Sequence, residues 1–185
     1  MAMNRCSLLA LLFTCACGGA IDKPDETSQA STTSSASTIG APCVFAMEND
    51  PTFAGFDEKE VNLETPAGYV SGDTLCIANH FRGRVSCPHG QDACKTPGGV
   101  PVTPSFGAYV EAQCVGRTAD KAVYTSCRCA NVEGRSDDGA RYCACPDDFS
   151  CTSLVSRVGP ETPRTALSGS YCIKKGTDYT PGACP

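Results

Sequence analysis

The placement of cysteine constrains this chain more than any other feature. Three of the 15 Cys (Cys6, Cys15, Cys17) fall within the first 17 of 185 residues. The other 12 are Cys43, Cys76, Cys87, Cys94, Cys114, Cys127, Cys129, Cys143, Cys145, Cys151, Cys172 and Cys184. They are even in number, at a density bordering that of disulfide scaffolds. Residues 43–185 are short of large apolar side chains, and the chain has no Trp. Six bridges at roughly 2–4 kcal/mol each would supply much of the stability that a modest core cannot.

Bridges persist only where sulfur oxidises, and the N-terminus reads as an export signal. Arg5 supplies the positive start, and Ser7 to Thr14 form an apolar stretch too short to span a bilayer. Residues 18–42 contain no Cys, and nine of the 12 residues from Thr27 to Thr38 are Ser or Thr. Such a segment buries too little apolar surface to offset its ordering entropy, and reads as a flexible tether. The expected organisation is a signal over 1–16, a tether over 17–42 and a disulfide-rich domain over 43–185. A break near Pro97 to Pro104 would divide that domain into 43–100 and 101–185. The net charge of −5 and pI near 5.0 argue against nucleic-acid binding, which rests on Lys and Arg neutralising phosphates.

The run Leu12-Phe13-Thr14-Cys15-Ala16-Cys17-Gly18-Gly19 resembles a bacterial lipoprotein signal. The resemblance implies a diacylglyceryl group on Cys17, preceded by the small Ala16, and cleavage to make Cys17 the new N-terminus. Thr14 stands where that family usually has Leu. Cutting before Cys17 leaves 12 Cys to pair, whereas cutting before Cys15 leaves an odd thiol. Free secretion with a cut after Ala20 also leaves 12, so it remains the alternative. The wider layout resembles cysteine-rich lipoproteins abundant in myxobacterial genomes, a likeness that implies no particular activity.

Periodicity points to short strands. Val123, Thr125, Cys127 and Cys129 alternate with Tyr124, Ser126 and Arg128, and similar patterns occur at Tyr109–Val115 and Ser170–Lys174. Asp57 to Asn62 can form a helical turn, ended by Thr65-Pro66-Ala67-Gly68. The expected fold is small, disulfide-rich and mainly β, with long loops, short antiparallel hairpins and little helix. One hairpin is expected to join Cys127-Arg128-Cys129 to Cys143-Ala144-Cys145 through the polar turn 133–139, with both Cys pairs on one face. Cys143-Ala144-Cys145-Pro146-Asp147-Asp148-Phe149-Ser150-Cys151 also resembles the end of an EGF-like module. Carried over literally, that resemblance implies Cys114–Cys129, Cys127–Cys143 and Cys145–Cys151, the last most directly. The loop from Cys145 to Cys151 is shorter than in that family, and Cys127 and Cys129 are closer together than its second and third cysteines.

Several constellations are candidates for chemistry. Cys127, Cys129, Cys143 and Cys145 can bind zinc as thiolates, or form disulfides. His80 and His89, the only two His, lie near Cys76 and Cys87 and can serve a mixed metal site or a Cys–His pair. Alternatively they are imidazoles in a bridged loop. Asn79, His80, Arg82 and Arg84 can form an anion-binding tip. Asn131, Glu133, Asp137, Asp138, Asp147 and Asp148 supply hard oxygen ligands, with Asp137, Asp138 and Asp147 the candidates for calcium; clustered Asp and Gly are equally ordinary turn residues. No cofactor is expected, and calcium is the one ion kept open. Haem-attachment, phosphate-loop, HExxH and GxSxG motifs are absent.

The expected function is a non-enzymatic binding or structural module, anchored by lipid on the extracytoplasmic side, in the periplasm or at the cell surface. Its partners would be the membrane and another envelope protein, a surface polymer or a protease. A small metal-dependent or hydrolytic envelope enzyme using His80 or His89 is one alternative. Thiol or metal handling through the CxC pairs is the other.

Overall fold

The computed structural model describes residues 38–104, 107, 109–154, 167–182 and 184. The signal, Cys17 and the Ser/Thr tether up to residue 37 lie outside them. The framework is one antiparallel sheet of five strands: β1 (Val61–Glu64), β2 (Thr74–Asn79), β3 (Val123–Ala130), β4 (Phe149–Ser153) and β5 (Ser170–Lys174). Their spatial order is β1-β2-β3-β5-β4. Helix among the described residues comprises a 3-10 turn at Ala46–Asn49, a four-residue turn, α1, at Ala119–Ala122, and Leu167. The fold is thus the small disulfide-rich β fold expected from the sequence.

The two central strands are covered on both faces. In β2, Leu75 and Ile77 enter a cluster with Val61, Tyr124, Phe149 and Tyr171. Ala78 belongs to a second cluster with Phe45, Phe56, Phe81 and Val123, and the partly buried Cys76 packs against it. The strand period of two sends alternate residues into different cores. β3 pairs β2 from Thr74↔Cys127 to Ala78↔Val123, and meets β5 on its other side with a register irregularity between Arg128 and Ala130. Strands from both sides of residues 97–104 therefore share one sheet.

All 12 cysteines from Cys43 to Cys184 are paired: Cys43–Cys76, Cys87–Cys94, Cys114–Cys184, Cys127–Cys143, Cys129–Cys151 and Cys145–Cys172. Of the EGF-like carry-over only Cys127–Cys143 is present. Cys145–Cys151 and Cys114–Cys129 are not, because β4 carries Cys151 beside β5 (Cys151↔Cys172 are register partners) and its sulfur joins Cys129, while Cys145 joins Cys172 of β5. The first two bridges close within residues 43–94 and the other four within 114–184.

Three local expectations change. The 127–145 hairpin does not form as a strand pair. β3 is already flanked by β2 and β5, so the 143–145 segment meets it through Cys143 N donating to Arg128 O at 3.0 Å and through the bridge. Asp57 to Asn62 is a turn running into a strand rather than helix: Asp57 Oδ1 accepts from Lys59 N at 2.9 Å, and Val61 then opens β1. Tyr109–Val115, whose last residue already lies in a turn, joins no strand of the sheet. Its contacts are with the 83–91 loop: Gln113 N donates to Pro88 O at 3.4 Å and Val110 N to Gln91 Oε1 at 3.2 Å. Val110 buries there with Cys87, Cys94 and Val102.

Candidate functional site

Residues 54–59 and the long excursion between β2 and β3 together build a hollow. Phe56 and Gly83 exchange backbone hydrogen bonds of 2.9 and 3.0 Å. Gly83 has φ +77°, and a Cβ there would lie 2.0 Å from Glu111 O. Only glycine lets the 109–111 segment come so close. The three segments enclose a cleft of about 380 Å³ rimmed by Asp57, Glu58, Lys59, Arg82, Tyr109 and Glu111. Arg82 Nε meets Glu111 Oε2 at 2.7 Å, and that hydrogen bond raises the pKa of the guanidinium. Tyr109 is 71% exposed at the mouth.

Lys59 also borders a second hollow of about 280 Å³, with His80, Tyr179 and Pro181. His80 ends β2 at φ 53°, a left-handed conformation that His adopts more readily than most residues. It is buried; its Nδ1 lies 2.8 Å from Glu58 O, and its ring stacks on Tyr179 at 4.0 Å between centroids, 3° from parallel. Arg117 locks this corner. Its guanidinium donates to His80 O at 2.7 Å, to Thr177 O at 2.6 Å and to Asn79 O, with Tyr179 beside it at 5.8 Å. Burial pushes the Arg117 pKa down.

The four residues proposed as an anion-binding tip do not share a surface. Asn79 and His80 are buried, and Arg82 is paired with Glu111. Arg84 is fully buried. Its Nη1 donates to Asp50 O and Phe53 O at 3.0 and 2.7 Å, its Nη2 to Glu48 O, and its Nε faces Glu48 Oε2 at 3.4 Å. Glu48 is 1% exposed and also accepts from Val85 N and Ser86 Oγ at 2.9 and 2.6 Å. Arg84 is therefore a structural cation that staples residues 48–53 onto the loop after β2, three backbone carbonyls and the carboxylate replacing water around its charge. Of the two histidines, His80 is interior and His89 exposed.

The calcium candidates are not gathered. Asp138 accepts from Asn131 Nδ2 at 2.9 Å, from Ala140 N at 3.1 Å and from the Tyr142 hydroxyl. These bonds, led by Asn131, hold its carboxyl below the usual pKa. It organises the 131–142 turn, joined there by Asn131 Oδ1 accepting from Glu133 N and Arg135 N at 2.9 Å each. Among the described residues, groups of three potential ligand atoms within 4.8 Å consist of cysteine sulfurs alone, Cys127/Cys143/Cys172 and Cys129/Cys145/Cys172. Every one of those sulfurs is in a disulfide, so the zinc reading of the CxC pairs has no free thiolate to use in this state.

Glu48, Lys59, Glu111, Arg117 and Tyr179 carry much of this region's architecture and were not singled out from sequence. The partners of Glu48, Glu111, Arg117 and Tyr179 stand far away along the chain, and no spacing rule links them. No protein-family model, curated protein or solved structure matches the chain. The region's chemistry therefore rests on its own geometry.

Proposed function

We propose that this chain is a non-enzymatic binding module, tethered by lipid at Cys17 outside the cytoplasm, that presents loops stiffened by disulfides. One observation supports it above others: all 12 cysteines from Cys43 to Cys184 are bridged, a state suited to an oxidising compartment. The polar cleft between residues 54–59, 82–83 and 109–111 is the surface such a module offers. Its rim carries three acids, Asp57, Glu58 and Glu111, and two bases, Lys59 and Arg82, a mixture suited to a polar or zwitterionic group of another envelope protein or a surface polymer. Loops already held by a backbone bridge and a tight glycine contact lose little entropy on binding. The expected tether ends earlier than residue 42, because Gly40 and Ala41 exchange backbone hydrogen bonds with Thr125 at 2.7 and 2.8 Å and Ile39 packs on the core. A tether of the length of residues 18–38 would reach about 23–27 Å if it behaves as a Gly/Ser-like coil. Two or more acyl chains hold a protein at a membrane without any spanning segment.

Radiolabelled palmitate supplied to cells expressing the full chain tests the anchor. The label is expected on the wild type, with partition into detergent, and is expected to vanish in Cys17→Ser. Label retained by Cys17→Ser would overturn the assignment. Loss of the label with unchanged export would separate anchoring from secretion.

A further inference from the structure

Three of the six bridges meet at one point. Cys172 Sγ, bonded to Cys145, lies 3.8 Å from Cys127 Sγ and 3.7 Å from Cys143 Sγ, the two halves of a second bridge. It also lies within 4.8 Å of Cys129 Sγ, which in turn is within 4.8 Å of Cys145 Sγ and belongs to the third bridge, Cys129–Cys151. Cys43–Cys76, Cys87–Cys94 and Cys114–Cys184 enter no such group. Separations like these are close to sulfur–sulfur contact. Cys172 Sγ lies beside the Cys127–Cys143 bridge at nearly equal distance from both sulfurs, so a thiolate freed there reaches the in-line position for attack by rotating about its own side-chain bonds. The burial is graded as well. Cys127, Cys129 and Cys172 are buried, Cys143 and Cys145 half-buried, and Cys151, on the edge strand β4, is exposed.

We propose that this cluster is a thiol–disulfide relay, taking an external monothiol at Cys151 and returning a thiolate at Cys143. The incoming thiolate attacks Cys151 Sγ. A mixed disulfide forms, the Cys129–Cys151 bond breaks, and its electron pair leaves on Cys129. The Cys129 thiolate attacks Cys145 Sγ, forming Cys129–Cys145 and expelling Cys172 as thiolate. Cys172 then attacks Cys127 Sγ, forming Cys127–Cys172 and releasing Cys143. Each step makes one S–S bond and breaks one, so no net oxidant or reductant is consumed. The external thiol ends on Cys151, and the free thiolate emerges at a different, half-buried residue. Exchange of this kind needs only a thiolate, a disulfide and access. The relay needs neither the lipid anchor nor the cleft, so it stands apart from the binding role above.

Limited treatment of the wild-type protein with glutathione at pH 8, followed by iodoacetamide and non-reducing peptide mapping, tests it. The expected result is glutathione on Cys151, carbamidomethyl label spread over Cys143 and Cys172 as well as Cys129, and recovered Cys129–Cys145 and Cys127–Cys172 peptides. The bridges Cys43–Cys76, Cys87–Cys94 and Cys114–Cys184 should remain intact. Label confined to Cys129, or glutathione attached first at one of those three bridges, would overturn the proposal. Cys151→Ser supplies a second reading without added thiol. Its orphaned Cys129 should pass its label on to the same neighbours, most of it lying off Cys129 after equilibration. If that variant does not fold, the wild-type mapping decides alone.

Discussion

A single reversal of backbone direction explains why the tripeptide Arg82-Gly83-Arg84 splits its two charges. In an extended strand residues two apart face the same side, and on that rule both arginines belong to one basic surface. Gly83 at φ +77° breaks the alternation. Arg82 keeps a side chain 20% exposed at the cleft, while that of Arg84 is fully buried. Removing one partner of such a pair leaves the other charge uncompensated and typically costs about 3–5 kcal/mol. Arg84→Met is therefore expected to lower stability by about that amount in urea unfolding, because Glu48 and three backbone carbonyls lose their donor at once. Arg84→Lys should recover only part of the loss, since an ammonium cannot span those acceptors as a planar guanidinium does. A midpoint for Arg84→Met equal to that of the wild type would show that the pair contributes nothing net. At this scale little was legible from sequence. Nothing local marks Glu48 as the partner of a residue 36 positions away, or Gly83 as the point where alternation fails.

Elements were easier to read than pairings. Val123–Ala130 and Ser170–Lys174 are strands because their β-branched, aromatic and cysteine side chains alternate and both of their faces are covered. Tyr109–Val115 carries a similar pattern without a strand, since alternation reports an extended backbone and not the presence of an edge to pair with. Asp57 drew β1 out of a nominal helical turn by accepting from the backbone N–H of Lys59, a competition common for Asp. The covered sheet also has a pH signature. Tyr69 packs against the first cluster while Tyr124 and Tyr171 lie within it. Burial raises all three phenols above the ordinary 10.0. A phenol whose pKa rises on folding contributes stability that is complete below pH 10 and is lost as pH climbs through the raised value. Alkaline unfolding is thus expected above pH 10, and absorbance at 295 nm should show these tyrosines ionising together with the loss of near-UV dichroism. Their ionisation before any structural change would contradict that coupling.

For the molecule as a whole, counting cysteines anticipated a small oxidised β fold, while connectivity had to come from three dimensions. Twelve cysteines admit too many pairings for spacing to choose among, and the EGF-like run misled because its last Cys lies on the edge strand β4, where its sulfur joins Cys129 of β3. The pairings now carry a further meaning. The bridges of residues 43–94 and those of 114–184 never cross, so no sulfur links the two sets and the β2–β3 seam holds them together without covalent help. A protease site placed at the exposed turn Gly98-Gly99 should yield a nicked protein that still elutes as one species in native buffer. On a denaturing gel without reductant it should fall into two fragments, and a single band there would mean that some bridge spans the nick. The polypeptide between the halves acts as a leash rather than a weld, and cutting it leaves the two disulfide sets separable in denaturant without any reductant.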